Sequence, residues 1–315
     1  MTEPFMRADV RAFLASVNNA SRPNSTELTA PDARAQYDVT KGIVDVPPNE
    51  LAVVADIEIP GPSGRLSLRL FDARSSRPPG PVLVFLHGGN FVIGDHDTHA
   101  ALCVEMAQTL DVPVVSVGYR LAPEHRWPAA PDDCEAAARW IAASGDALGR
   151  QVTGLVVAGD SAGGALAIVT AMALRDSPAV VPVLAQLCFY PLADMGRIYP
   201  SLESFSDGFL LTRAGLEWGA DAYGADVTHV RASPMLGELT GMPPAVIVTS
   251  SLDPIRDQGR AYAAALIAAG VPTVFREAAG NIHAFATLRK AVPSSQGDVA
   301  GALAALRLVM ALPGD

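Results

Sequence analysis

The run Gly159-Asp160-Ser161-Ala162-Gly163 sets a serine between two glycines. It follows apolar Leu155-Val156-Val157-Ala158 and precedes a small-residue stretch, Gly164 to Leu174, that suits a helix. Strand, G-x-S-x-G, helix is the local pattern of a nucleophile elbow. The serine of such a turn holds strained backbone angles, and flanking side chains larger than hydrogen would collide. The turn lifts Ser161 Oγ above the strand ends. The N-terminus of the next helix lies beneath it, with partial positive charge that favours a developing anion. The chemistry is acyl transfer. The alternative is a chance Gly-Ser-Gly loop in a chain with 27 glycines, and it gives no reason for the flanking strand and helix.

A serine nucleophile needs a base to take its proton and an acid to orient that base. In this arrangement the chain order is Ser, then Asp or Glu, then His. Of six histidines (His87, His96, His99, His125, His229 and His283), only the last two follow Ser161. His283 sits in Ala279–Phe285, just past the last predicted strand, where catalytic groups of open α/β sheets gather. His229 is read as a surface or cap residue. Ala245-Val246-Ile247-Val248-Thr249 predicts a strand that runs out at Asp253 and Asp257. Asp253 is nearer the strand end and is taken as the acid. Asp257 suits the start of the next helix. Leu86-His87-Gly88-Gly89-Asn90-Phe91 follows a buried apolar run, and its glycines let backbone N–H groups approach a reacting carbonyl. Gly88, Gly89 and Asn90, with the N–H of Ala162, are the candidate oxyanion hole. His87 is expected to fix that loop by hydrogen bonding.

These groups must be positioned by a sheet. Continuous apolar runs at 82–86, 112–117, 155–158, 183–189, 245–249 and 271–275 predict strands buried on both faces. Helical stretches at about 98–110, 132–143, 162–175 and 256–269 alternate with them, so the sheet is mostly parallel and covered on both sides. Upstream, 51–59 and 65–71 predict two further strands, the second alternating with one wet face. That makes about eight strands in an α/β fold. Val10, Phe13, Leu14 and Val17 predict an amphipathic helix over 6–18, whereas 18–48 reads as partly irregular. The aromatic-rich segment 194–233 breaks the rhythm and is expected to be a helical insertion that forms a cap with the N-terminal helix. The expected division is 1–48 and 194–235 as cap, with 49–193 and 236–315 as the α/β core.

Composition removes other function classes. The net charge of −10 argues against nucleic acid, whose phosphates need a basic surface. Cys103, Cys134 and Cys188 cannot all pair and lack C-x-x-C spacing, so they read as buried thiols of a reducing compartment. No apolar leader and no membrane-length apolar run is visible. The expectation is a cytoplasmic protein.

The motifs together resemble the bacterial hormone-sensitive-lipase-like (family IV) esterases of the α/β-hydrolase superfamily. His87-Gly88-Gly89-Asn90 is similar to that family's H-G-G-G loop, and Tyr119 to His125 to its Y-R-L-A-P-E-H. Gly159 to Gly164 matches its G-D-S-A-G-G, and Asp253 to Asp257 resembles its D-P-L-R-D. The resemblance spans nearly the whole chain. It implies a Ser161/Asp253/His283 triad, no metal, no organic cofactor, a small-molecule ester as substrate, and a homodimer formed through the strand at 271–275. Asn90 departs from the third glycine. Asn tolerates unusual backbone angles, and its side chain is expected to crowd the acyl side or add a hydrogen bond. Ala284 stands where glycine follows the base, so its methyl group is expected to narrow the loop or shift His283. Arg120, Glu124 and His125 are read as a buried polar network that holds the H-G-G-N loop, and Asp160 as structural.

The expected activity is a carboxylesterase for short- to medium-chain acyl esters. An amidase or deacetylase would use the same triad. A ligand-binding relative would have no need to keep all three triad members. Candidate substrate-pocket residues are Phe91, Asp160, Tyr190, Leu192, Phe205, Phe209, Leu211, Trp218, Asn281 and Ile282.

Overall fold

The buried apolar runs become the central strands of one sheet because side chains alternate between its two faces. Val82, Val84 and Leu86 pack on one side, while Leu83 and Phe85 pack on the other. The computed structural model describes residues 4–20 and 25–311, so the ends of the predicted cap and core ranges at 1–3, 21–24 and 312–315 lie outside them. The strands are β1 (Val53–Gly61), β2 (Gly64–Asp72), β3 (Gly80–Leu86), β4 (Val114–Gly118), β5 (Val152–Asp160), β6 (Val183–Phe189), β7 (Ala245–Leu252) and β8 (Thr273–Ile282). Their order is β1-β2-β4-β3-β5-β6-β7-β8. β1 and β2 form an antiparallel hairpin, β2 joins β4 antiparallel, and all pairs from β4 to β8 are parallel.

The helices are α1 (Ala8–Asn18), α2 (Ala30–Val44), α3 (Ala100–Leu110), α4 (Ala129–Ala143), α5 (Ala162–Asp176), α6 (Pro200–Ser204), α7 (Arg213–Tyr223), α8 (Arg256–Ala268) and α9 (Ser295–Met310). α4, α5 and α8 cover one face through residues such as Ile141, Ile168 and Tyr262. α3 and α9 cover the other through Leu102, Met106, Leu303 and Leu306. Crossovers that place helices on both faces are what a buried parallel sheet requires. β5 lies between β3 and β6, so the serine turn leaves the middle of the sheet.

Three local expectations change. The stretch read as irregular between 18 and 48 contains α2, a 15-residue helix. Its N-cap Thr29 accepts from the Asp32 N–H, and Pro31 sits in its first turn. The helix buries little apolar surface of its own (Ala33, Val44 and the stem of Lys41), so hydrophobic periodicity does not announce it. β8 continues to Ile282 instead of stopping at Phe275, which carries the sheet to the residue before His283. α9 closes the chain where no helix is read from the pattern.

α2 is held by polar contacts with the segment after β8. Asp45 and Arg289 form a buried two-pronged pair at 3.0 Å on each arm. The Val44 carbonyl accepts from Lys290 and Ala291. Lys41 Nζ donates to Thr287 Oγ1 and lies 4.9 Å from the centre of the Tyr37 ring. Burial pulls the Lys41 ammonium down to about 8, although Asp160 and Asp45 act to hold it up. The unfolded chain keeps that proton to its ordinary 10.5. Between about pH 8 and 10.5 the unfolded state therefore holds more protons, and stability rises with pH. Wild type should gain stability relative to Lys41→Met across that window in denaturant titrations. A pH-independent difference between the two proteins would show that Lys41 is not coupled in this way.

Candidate active site

Ser161 takes φ 55° and ψ −120°, a conformation that an L-residue keeps only when its surroundings impose it. Three contacts do so. Its N–H donates to Phe189 O at 2.9 Å, and its carbonyl accepts from Ala165 at 3.1 Å and Leu192 at 3.2 Å. The flanking glycines are required by space and not by angle. A Cβ on Gly159 would lie 2.2 Å from Gly163 O, and one on Gly163 would lie 2.0 Å from Leu86 O. The elbow is thus wedged against the end of β3.

His283 directly follows β8, and Asp253 directly follows β7. His283 Nδ1 lies 2.7 Å from Asp253 Oδ2, and Nε2 lies 2.8 Å from Ser161 Oγ. With a carboxylate at Nδ1, the neutral ring carries its proton there and presents the Nε2 lone pair to the serine hydroxyl. Asp253 is fully buried, and its second oxygen accepts from the Ile255 N–H at 2.9 Å. Asp257 serves elsewhere. It accepts from the Ser201 N–H at 3.0 Å and pairs with Arg256 at 2.8 Å. Ala284 sits at φ 63°, the left-handed conformation that glycine adopts more easily, yet His283 remains within hydrogen-bond distance of both partners.

The loop after β3 runs through consecutive positive φ values: Gly89 124°, Asn90 53° and Phe91 62°. The Gly88 N–H donates to Asp160 Oδ1 at 2.8 Å, so Gly88 is spent on the structure of the loop and leaves the candidate hole. Gly89, Asn90 and Ala162 remain, and among the described residues none of their N–H groups has a protein acceptor. His87 fixes the loop as expected. Its Nδ1 lies 2.8 Å from Gly88 O, its ring stacks on Tyr119 at 4.3 Å, and the Tyr119 hydroxyl donates to His87 O at 2.7 Å. Burial, reinforced by nearby His99, lowers the His87 imidazole to about 3, so the ring is neutral at neutral pH.

Several pocket candidates face other work. Asp160 is buried, holding the Gly88 N–H with His99 Nε2 3.3 Å away. Burial pushes its carboxyl up, but His99, Lys41 and the Gly88 N–H pull it below the usual carboxylate value. Its side chain therefore braces the loop and does not line a pocket. Asn281 donates to Ser295 Oγ at 3.0 Å and Asp298 Oδ2 at 2.9 Å, tying β8 to α9. Phe91 stacks on Tyr223 at 3.8 Å, and Leu192 lends its N–H to the elbow. Phe205 and Phe209 meet edge to face at 5.0 Å and share an apolar cluster with Val10, Leu14 and Ile282. Leu211 and Trp218 are half-buried.

The predicted polar network is different in detail. Arg120 pairs with Asp133 of α4, while Glu124 and His125 are exposed. The brace of the loop comes from Arg34 on α2, which donates to Val92 O at 2.8 Å and Ala122 O at 2.9 Å while paired with Glu124. Without α2 in view, nothing in the sequence points to Arg34. The sequence offers Tyr190 only as pocket lining. It sits at φ 35°, and its ring centre lies 4.7 Å from that of His283. The turn from Phe189 to Leu192 thus touches both the serine and the histidine. His229 is exposed beside Trp127.

The two acids are separable by experiment. Asp253→Asn should lower kcat by roughly 10³–10⁴, the cost of a wrong imidazole tautomer. Asp257→Asn should stay within about threefold, since among the described residues its carboxylate bonds to Ser201, Arg256 and Arg260 and not to the histidine. Equal losses in steady-state assays would remove Asp253 from its role.

Residues 83–287 match the family described as alpha/beta hydrolase fold. The chain is 36% identical over 265 residues to an ethyl acetate hydrolase of Pseudomonas putida, spanning 82% of this chain and 83% of that one. It is 37% identical over 268 residues to esterase LipI of Mycobacterium tuberculosis, with 83% of each covered. Among solved structures, an ester hydrolase from the metagenome of Lake Arreo superposes with a TM-score of 0.91 at 34% identity, covering 96% of this chain and 98% of that one. The strand order, the matched span of sequence and the Ser161–His283–Asp253 geometry agree, and the chain belongs to the α/β-hydrolase family, in its bacterial hormone-sensitive-lipase-like esterase branch.

Proposed function

We propose that the protein is a carboxylesterase acting on short- to medium-chain acyl esters through an acyl-enzyme. The observation that carries this reading is one imidazole within 2.8 Å of both a serine hydroxyl and a buried carboxylate. Ser161 Oγ attacks the ester carbonyl carbon while its proton passes to His283 Nε2. Asp253 holds the ring and stabilises the imidazolium. The carbonyl oxygen becomes an oxyanion facing the N–H groups of Gly89, Asn90 and Ala162, and the positive end of α5 adds to their field. His283 then gives its proton to the departing alkoxide, which leaves as the alcohol. A water attacks the acyl-enzyme by the same path, and the acid is released as Ser161 regains its proton.

Residues of α1 and of the 194–235 insertion act in this reading as the cap. The cluster of Phe205, Phe209, Val10 and Leu14 reaches Ile282, next to the base. A wall of this kind favours a small apolar acyl group, and the similarity to an enzyme named for ethyl acetate points the same way. Three buried free cysteines support a reducing, cytoplasmic setting. The dimer is assigned to β8, an edge strand with Phe275 40% exposed. Near its end, Arg7 covers Gly280 O, which leaves 273–277 for a second copy.

Hydrolysis of p-nitrophenyl esters from acetate to palmitate tests the activity. Wild type should prefer short chains, and Ser161→Ala should lose at least about 10³-fold. Turnover of acyl anilides but not esters would favour an amidase instead. Sedimentation at micromolar concentration should show a dimer of the 32.8 kDa chain, and a monomer throughout would remove the β8 pairing.

A further inference from the structure

Asn90 is the oxyanion-loop residue that departs from the glycine expected there, and its side chain has a specific use. Asn90 Nδ2 donates to Gly215 O at 3.0 Å, in the first turn of α7. One turn later, α7 presents Gly219 to the same side chain. A Cβ there would lie 2.7 Å from Asn90 Cβ and 2.8 Å from its Cγ. The next residue, Phe91, lays its ring on Tyr223 at the end of α7, with centres 3.8 Å apart and planes within 4°. Two successive loop residues therefore grip the whole length of one insertion helix. Of the two expectations for the Asn90 side chain, the added hydrogen bond is the one formed, because its amide is committed to α7.

We propose that Asn90 is a positioning residue that locks α7 onto the oxyanion loop, so that the insertion sets the aim of the Gly89 and Asn90 N–H groups. Left-handed backbone is tolerated by Asn90 but strained at Phe91, and strain of this kind persists only when neighbours impose it. β5 does not impose it, because Asp160 at its end braces the loop at Gly88, one residue short of the donors. The contacts from α7 fall on Asn90 and Phe91 themselves. An N–H displaced by a fraction of an ångström from a developing oxyanion forfeits much of its stabilisation. The lock therefore acts on transition-state binding more than on substrate binding.

The inference rests on the ester-hydrolase reading, and the test separates the two. Asn90→Gly keeps the backbone N–H and removes the tether. Gly219→Ala disturbs the same contact from the α7 side and leaves the loop sequence untouched. Each should lower kcat roughly 10- to 100-fold with KM within about twofold. Each should slow phosphonylation of Ser161 by a p-nitrophenyl alkylphosphonate in parallel, and hydrogen exchange should rise in peptides covering 213–223. The double variant should be no worse than Asn90→Gly, because the glycine leaves room for the new methyl group. Unchanged kcat in both variants, or a KM change alone, overturns the lock, as does unaltered exchange in 213–223. Wild type inert to both esters and phosphonate would instead overturn the hydrolase reading beneath it.

Discussion

The close approach of the Ser161 turn to the end of β3 is the constraint on which the rest depends. Gly159 and Gly163 let the elbow touch the Leu86 carbonyl, and no larger residue fits at either place. That contact sets two things at once. It fixes the serine in a conformation the chain would not choose freely, and it places the loop after β3 beside the N-terminus of α5. Nucleophile and candidate oxyanion donors thus share one origin, and neither can move without the other.

Around this wedge, the molecule spends polar side chains on rigidity. Asp160, adjacent to the serine, holds the Gly88 N–H, and the α2 lysine, Lys41, lies near enough to favour the ionised carboxylate. His87 and Tyr119 close the same loop from the β4 side, and Arg34 closes it from α2. The turn from Phe189 to Leu192 binds the serine backbone and packs Tyr190 on His283. The supports approach from several elements, as expected for a site that must hold its reacting groups to within about half an ångström.

The catalytic letters were the most legible part of the sequence, for a physical reason. Each is tied to the end of a buried strand, and buried parallel strands announce themselves as apolar runs. Ser161, Asp253 and His283 could be named because G-x-S-x-G, the strand at 245–249 and the histidine after the last strand are local signals. Supports made of polar contacts were not legible. α2 has too little apolar surface to produce a periodic stripe, so no sequence pattern marks Arg34 and Lys41. Asn281 reads as pocket lining because it lies two residues before the base, yet its amide turns to α9. Gly88 reads as an oxyanion donor because it lies in the glycine loop after β3, yet Asp160 takes its N–H.

The sequence by itself determined the fold class, the order of the triad and the choice of Asp253 over Asp257. These follow from which residues lie at strand ends, and strand ends are set by short-range patterns of burial. Only the tertiary structure decided which N–H groups remain unpartnered, where Asn90 points, and which ring backs His283. Those outcomes depend on hydrogen bonds and contacts between residues far apart in the chain. Their directions are set when the helices pack on the sheet, and no local periodicity encodes them.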